Sequence, residues 1–283
     1  MMPRRSVPAQ SCSSFHNDTH ADIMEWGGLF ERDPMLRSLA RLKDHTNDLN
    51  FATDRVARWA TGHLRTVPAP HRVLDIGLGS ARDLLAVKEA FCQDIELHGI
   101  ESQPHWIKQA NERGIQTSDI DIERQKIPAD DEFFDVVIAN HVIEHTKELF
   151  WIFNEISRVL KKGGIAIIGC PNLGSWHNRV ALLLGMQPPC MKILGPHSRG
   201  ITRPGFAEFI ERGEYFELLQ SVGSNLYPFP HRLNEALSNV VPGLCASMHF
   251  LLRRTEQRGS FLEVLDSGVP GIQDTPYFRG MAT

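Results

Sequence analysis

Cysteine is scarce in this chain and forms no pairs. The residues are Cys12, Cys92, Cys170, Cys190 and Cys245, an odd number at wide spacing without a C-x-x-C. That excludes a zinc knuckle, a dithiol redox site and a disulfide framework. Long apolar runs are missing too. Ile165–Cys170 and Val180–Met186 are among the longest, far below the roughly 18 residues of a membrane span. Residues 1–20 carry charge but no apolar segment, so no secretory signal is read there. Neither sign of charge dominates. Lys and Arg number 30 against 34 Asp and Glu, for a net charge of -4. This gives no basic footprint for sequence-independent nucleic-acid binding. Together these absences point to a cytoplasmic protein with neither a transmembrane segment nor a strong nucleic-acid signal.

What is present is ordinary globular composition: 42% hydrophobic and 23% charged residues over 283 positions. A chain of this length holds one large domain or two small ones, and the composition excludes wholesale disorder. Histidine, at 13 copies, makes the charge pH-sensitive near neutrality.

No internal repeat is visible. Residues 1–20 read as a mobile tail. Residues 21–69 read as an N-terminal helical extension, with Leu36, Leu39 and Leu42 on one run and Phe51, Val56 and Trp59 on another. Val67-Pro-Ala-Pro-His71 breaks that pattern and opens the main domain, expected over 70–255. Strands and helices then alternate. Strands are expected at His71–Ile76, Ile95–Ile100, Ile115–Asp121, Phe134–Ala139 and Ile165–Cys170. Helical stripes lie at Ser80–Cys92, from Pro104 to Gly114, and over Leu149–Leu160, stopped by Lys161, Lys162, Gly163 and Gly164. Near-continuous apolar strands, each followed by a helix, mean an α/β fold with a parallel sheet covered on both faces. A helical stretch at Phe206–Val222, a strand at Asn225–Phe229 and a last strand at Met248–Arg253 follow. Residues 256–283 are expected as a C-terminal tail over the surface.

The most informative stretch is Val73-Leu-Asp-Ile-Gly-Leu-Gly-Ser-Ala-Arg-Asp83, a strand that runs into G-x-G and then a helix. In such sheets ligands sit beyond the carboxyl ends of the strands. Gly77 and Gly79 let backbone approach a ligand closely. Arg82 stands where a dinucleotide fold would place its third glycine. Asp75 would repel a pyrophosphate but attract a ligand bearing an ammonium and a sulfonium. Glu101, at the end of the second strand, is placed to accept both hydroxyls of a ribose.

Five segments in this order resemble the class I S-adenosylmethionine-dependent methyltransferases of the broad small-molecule kind often labelled type 11. They are VLDIGLGSARD (73–83), GIESQPHWIKQA (99–110), DIERQKIPADDEFFDVVIANHVIEH (121–145), ISRVLKKGG (156–164) and CPN (170–172). The resemblance implies a doubly wound, mostly parallel seven-stranded sheet of Rossmann-like type, with S-adenosyl-L-methionine as cofactor. Asp75, Gly77 and Gly79 would line its methionine end. Glu101 would bind the ribose diol, with Ser102 beside it. Asp121, with Asp119 as rival, would accept from the adenine amino group, and Ile122 would pack on the ring. Asn140 would lie beside the sulfonium.

His141-Val-Ile-Glu-His145 spells H-x-x-E-H, the pattern of one zinc protease class. Here it follows a buried parallel strand directly, which argues against that reading. Some quinone-pathway O-methyltransferases carry E-x-x-E-H at this place and use a divalent cation. His141 replaces the first glutamate, so no metal is expected. Glu144 and His145 either orient the next helix, or His145, with His141 second, serves as catalytic base for an acidic hydroxyl.

Acceptor-side inserts are expected near 172–205 and 225–245, with Trp176, His177, Arg179, His197 and Arg199, and with Tyr227-Pro-Phe-Pro-His231. The function expected is methyl transfer to oxygen of a small-molecule or glycolipid-like acceptor. RNA or protein methylation, and cofactor binding without catalysis, are the alternatives.

Overall fold

A computed structural model describes residues 49–226, 237–270, 272 and 274–280, with side chains from Thr53 onward. The expectations for residues 1–20, for Leu36, Leu39 and Leu42, and for Tyr227 to His231 lie outside these residues.

The described residues open with helix α1 (Leu49–Leu64), then strand β1 (Arg72–Ile76), α2 (Arg82–Phe91), β2 (Glu96–Ile100), α3 (Pro104–Glu112) and β3 (Gln116–Ser118). Strand β4 (Phe134–Asn140) leads through a single 3-10 turn (Ile143–His145) into α4 (Leu149–Val159) and β5 (Leu160–Pro171). Then come α5 (Trp176–Leu183), α6 (Arg203–Glu211), β6 (Phe216–Ser224), β7 (Ser247–Arg254) and a 3-10 segment at Phe261–Asp266. The seven strands form one sheet in the order β3-β2-β1-β4-β5-β7-β6. Pairing is parallel through β3-β2-β1-β4-β5, and β7 runs antiparallel to both β5 and β6.

Each face of the sheet buries its own core. On one, Val73, Val136, Ile138, Ile165 and Ile167 meet Val56, Ala60 and Leu64 of α1 and Leu84 and Val87 of α2. On the other, Val137, Ala139, Ala166, Ile168 and Phe250 meet Phe153 and Ile156 of α4, Phe206 and Phe261. Strands buried on both faces must be apolar at nearly every position, which is how these read. Helix α1 therefore packs directly on the sheet.

Three expectations need revision. The stretch 206–222 is not one helix. It turns at Gly213 and Glu214, whose φ is 61°, and then becomes β6, because an unpaired β7 would leave a row of open backbone groups. Of the expected strand at Asn225–Phe229, Asn225, with φ 60°, and Leu226 follow the end of β6, and the rest lies outside the described residues. Helix α4 stops at Val159, and β5 already begins at Leu160, so Lys161 and Lys162 are strand residues. Finally, residues 256–283 do more than lie on the surface. Phe261, Val264 and Leu265 are buried in the main core. The rings of Tyr277 and Phe278 pack on Phe150 and Trp151 of α4. This second cover explains why α4 is apolar on nearly all sides.

Candidate cofactor and active site

The glycine loop leaves β1 at the carboxyl edge of the sheet. Gly77, Gly79 and Ala81 all take left-handed backbone, with φ of 73°, 49° and 62°. The amides of Gly77 and Leu78 both donate to the Ile100 carbonyl, at 2.9 and 3.0 Å, which pins the loop to the end of β2. A Cβ on Gly77 would lie 2.5 Å from Val142 Cγ2, so only glycine fits there.

Glu101 ends β2 and is buried. Its Oε2 accepts from Gly79 N–H at 2.8 Å, and its Oε1 from the N–H groups of Ser102 and Gln103 at 2.8 and 2.9 Å. The carboxylate is thus held by backbone, and its Oε2 keeps a lone pair for one further hydroxyl donor. Asp75 is buried on the side of the sheet facing α2. Burial, and then the charges of Asp83 and Glu101, push its carboxyl well above the usual range. A cationic ligand relieves that stress.

Asp83 completes a buried relay that the motif analysis missed. Thr53 Oγ1 donates to its Oδ1 at 2.8 Å, and Asn140 Nδ2 donates to its Oδ2 at 2.8 Å. This fixes Asn140 at the tip of β4, with its Oδ1 buried and without a hydrogen-bond partner. The available signal was an acid in the first turn of the helix after a glycine loop. A Cβ on Gly169 of β5 would collide with Asn140 Oδ1, so glycine there makes room for the asparagine.

Asp75, Gly77, Gly79, Glu101 and Ser102 meet at the ends of β1 and β2, and Asn140 joins them from β4 through Asp83. Asp121 and Ile122 follow β3 on the neighbouring strand. Asp121 is exposed, and its Oδ1 accepts from Glu123 N–H at 3.0 Å. Ile122 is half-buried against the core.

Immediately after Asn140, His141 adopts φ 58°, an unusual geometry for a side chain of this size. Its Nδ1 lies 3.1 Å from Glu144 Oε1. Burial lowers the His141 pKa, but the Glu144 bond and charge outweigh it, and the net shift is upward. Glu144 is held below its ordinary value by the two flanking histidines despite full burial. His145 is lowered, chiefly by burial. Across the sheet, His249 of β7 pairs in register with Gly169, and its ring lies 6.4 Å from that of His141. Both its nitrogens are buried without hydrogen-bond partners, and burial takes its pKa down to about 3. Sequence reading passed over this residue. A histidine within the apolar run Met248–Leu252 was the signal.

The later inserts are braced rather than open. Arg179 Nε donates to the Gly174 carbonyl at 2.6 Å and Arg199 Nη2 to the Lys147 carbonyl at 2.9 Å. His177 lies 3.2 Å from Ser175 Oγ, with its pKa lowered to about 4 by burial. Asn172 ties β5 to the segment before β7 by donating to the carbonyls of Gly243 and Cys245 at 3.0 and 2.9 Å. Beyond these braces α5 and the following loop expose Leu183, Leu184, Ile193 and Leu194.

Comparison with known proteins agrees with this geometry. A family model described as a methyltransferase domain matches residues 74–168. The 27-O-demethylrifamycin SV methyltransferase of Amycolatopsis mediterranei (strain S699) is 27% identical over 161 residues, covering 54% of this chain and 55% of the relative. The chain thus spans about half the length of that curated relative. Among solved structures, the CurJ carbon methyltransferase superposes with a TM-score of 0.52 at 16% identity, over 76% of this chain and 58% of that one. The [4+2]-cyclase SpnF gives 0.51 at 19% identity, over 71% and 81%. These two likenesses show the fold. Sequence match, sheet order and the acid-lined glycine loop together identify the chain as carrying a domain of the class I S-adenosylmethionine-dependent methyltransferase family, whose methyl donor is S-adenosyl-L-methionine.

Proposed function

We propose that this protein transfers the methyl group of S-adenosyl-L-methionine to an oxygen of a small-molecule or glycolipid-like acceptor. The observation that carries the reading is the convergence of buried Asp75, Asp83 and Glu101 on the glycine loop. Such a concentration of negative charge suits a cationic ligand and disfavours a dinucleotide pyrophosphate. The cofactor supplies an electrophilic methyl on a sulfonium. The chain's part is to bind and orient it. Gly77 and Gly79 admit it to the backbone, Glu101 and Ser102 receive the ribose, and Asp121 and Ile122 receive the adenine. Asp75 faces the amino group, and Asn140 stands beside the reacting centre. In-line transfer then depends on holding the acceptor oxygen opposite the sulfonium.

A proton must leave a hydroxyl acceptor. Of His145 and His141, the geometry favours His141 as base. It follows Asn140 directly, and Glu144 at 3.1 Å orients its ring with Nε2 as the basic nitrogen. Transfer to oxygen is supported by the curated relative, whose name specifies a demethylated oxygen. The apolar surface of Leu183, Leu184, Ile193 and Leu194 suits a hydrophobic acceptor. Among the described residues no helix is long and apolar enough to cross a membrane. Cys92, Cys170, Cys190 and Cys245 are free thiols, which fits a reducing compartment such as the cytoplasm.

The test is transfer of a labelled methyl group to a panel of hydroxylated small molecules, beginning with 27-O-demethylrifamycin SV. Label on an acceptor oxygen is expected, with turnover reduced at least about tenfold in His141→Ala. Label found only in RNA or protein, or no transfer across the panel, would overturn the reading.

A further inference from the structure

The turn after β4 holds side chains that cofactor binding does not use. Glu144, His145 and His197 each offer one ligand atom, and these atoms lie within 4.8 Å of one another. Backbone assembles the group. Ser198 N–H donates to the Glu144 carbonyl at 2.8 Å, and its hydroxyl donates to the Thr146 carbonyl at 2.9 Å. With the Arg199 bond to Lys147, these contacts clamp the 196–200 loop to the 143–145 turn. They bring the His197 ring to 4.8 Å from that of His145.

The outer atoms are already engaged. His197 Nδ1 lies 2.8 Å from the Cys190 carbonyl. A carbonyl only accepts, so Nδ1 carries the proton and Nε2 keeps a lone pair. His145 hydrogen-bonds the Pro196 backbone, which likewise offers only a carbonyl, and its other nitrogen is therefore basic. Its Nε2 sits 3.9 Å from Glu144 Oε1. Glu144 is 2% exposed. Its Oε1 is held by His141, whereas Oε2 is buried with no hydrogen-bond partner. A charged oxygen in that state is costly unless something positive meets it.

We propose that Glu144, His145 and His197 form a binding site for a divalent transition-metal cation of the zinc class, with His141 positioning Glu144. Two imidazoles and one carboxylate suit zinc, cobalt or iron, whereas magnesium takes oxygen ligands. A histidine ligand whose second nitrogen is tied to a carbonyl is the usual outer arrangement of such sites. Tetrahedral ligand atoms at zinc bond lengths stand about 3.4 Å apart, so loading draws the three inward by about an ångström. His145 and His197 are half-buried, which leaves an entry path. Three protein ligands leave a coordination position open to a water or acceptor oxygen. The set differs from the H-x-x-E-H reading: His141 moves to the outer shell, and His197 enters from a distant loop.

The proposal does not rest on the methyl-transfer reading, because its test reads metal rather than turnover. The full chain, stripped with a chelator and dialysed, is titrated with Co²⁺ and then Zn²⁺ by calorimetry and visible absorption. One equivalent of Co²⁺ with a visible band is expected, displaced by Zn²⁺ and not by equimolar Mg²⁺. His197→Ala and Glu144→Gln should each weaken binding at least about tenfold. Circular dichroism checks that each variant folds, and the near-isosteric Glu144→Gln carries the comparison should His197→Ala unfold. No stoichiometric binding, equal affinity in wild type and Glu144→Gln, or displacement by Mg²⁺ would each overturn the proposal.

Discussion

The two halves of the carboxyl edge are finished to different degrees. On the β1–β2 side, Glu101 already accepts three backbone N–H bonds at 2.8 to 2.9 Å, and the glycine loop is tied to Ile100. On the β4–β5–β7 side, Asn140 Oδ1, Glu144 Oε2 and both nitrogens of His249 are buried without hydrogen-bond partners. The first half is a preorganised cradle whose geometry the protein sets alone. The second holds buried polar atoms without hydrogen-bond partners, and such atoms exact a stability penalty until they are met. A cofactor common to many enzymes is suited by a fixed receptor, and under the proposed function the acceptor would meet the less finished half.

The contrast breaks most readily at Gly77. Alanine there must hold φ 73° and place a Cβ 2.5 Å from Val142. The left-handed backbone alone costs roughly 1–2 kcal/mol, and the collision adds to it. Gly77→Ala should lower the melting temperature by several degrees and weaken cofactor binding, both measurable on one preparation. A variant unchanged in both would mean that the loop is not preorganised.

The orphaned half should respond in the opposite way. His249 is neutral in the folded protein, with a pKa near 3, and His177 one near 4. Unfolded, each titrates near 6.5. A depressed histidine pKa means that the unfolded chain binds the proton more readily. Stability is therefore full above about pH 6.5 and is lost as pH falls toward the folded values. His249→Phe removes a buried imidazole that lacks hydrogen-bond partners, so the melting temperature at pH 7.5 should shift by at most a few degrees. Its decline between pH 6.5 and 4.5 should become shallower than in wild type. A large loss at pH 7.5, or an unchanged slope, would place His249 among the structural residues instead.

Legibility in the sequence follows the same division. The glycine loop, Glu101 and the order of the first strands are written locally, as a period of apolar residues punctuated by glycine and an acid. β3 ends at Ser118, short of the expected strand end at Asp121, so Asp121 and Ile122 lie in the turn that follows it. Asp83 was visible only as a charge in a helix turn, since its partners Thr53 and Asn140 are 30 and 57 positions away. His197 is brought to Glu144 and His145 by bonds from Ser198 and the Arg199 guanidinium to backbone carbonyls of residues 144–147, which leave no periodic trace. β6 was hidden because Phe216–Ser224 is a sheet edge whose conformation is set by pairing with β7, a tertiary effect that outweighs local pattern. Phe261 and its neighbours lay in a segment whose Gly and Pro content suggested a surface tail. The excess apolarity of α4 was the clue to a second cover.

The central claim is that buried acids at the glycine loop make a receptor for a cationic nucleoside. Calorimetric titration of the full chain with S-adenosyl-L-methionine, S-adenosylhomocysteine and NAD tests it directly, with Glu101→Ala run in parallel. One equivalent of either sulfur nucleoside should bind and NAD should not. Glu101→Ala should bind roughly 1–3 kcal/mol more weakly, the worth of a charge-assisted hydrogen-bond pair. Binding of NAD in place of the sulfur nucleosides, or undiminished affinity in Glu101→Ala, would contradict the account.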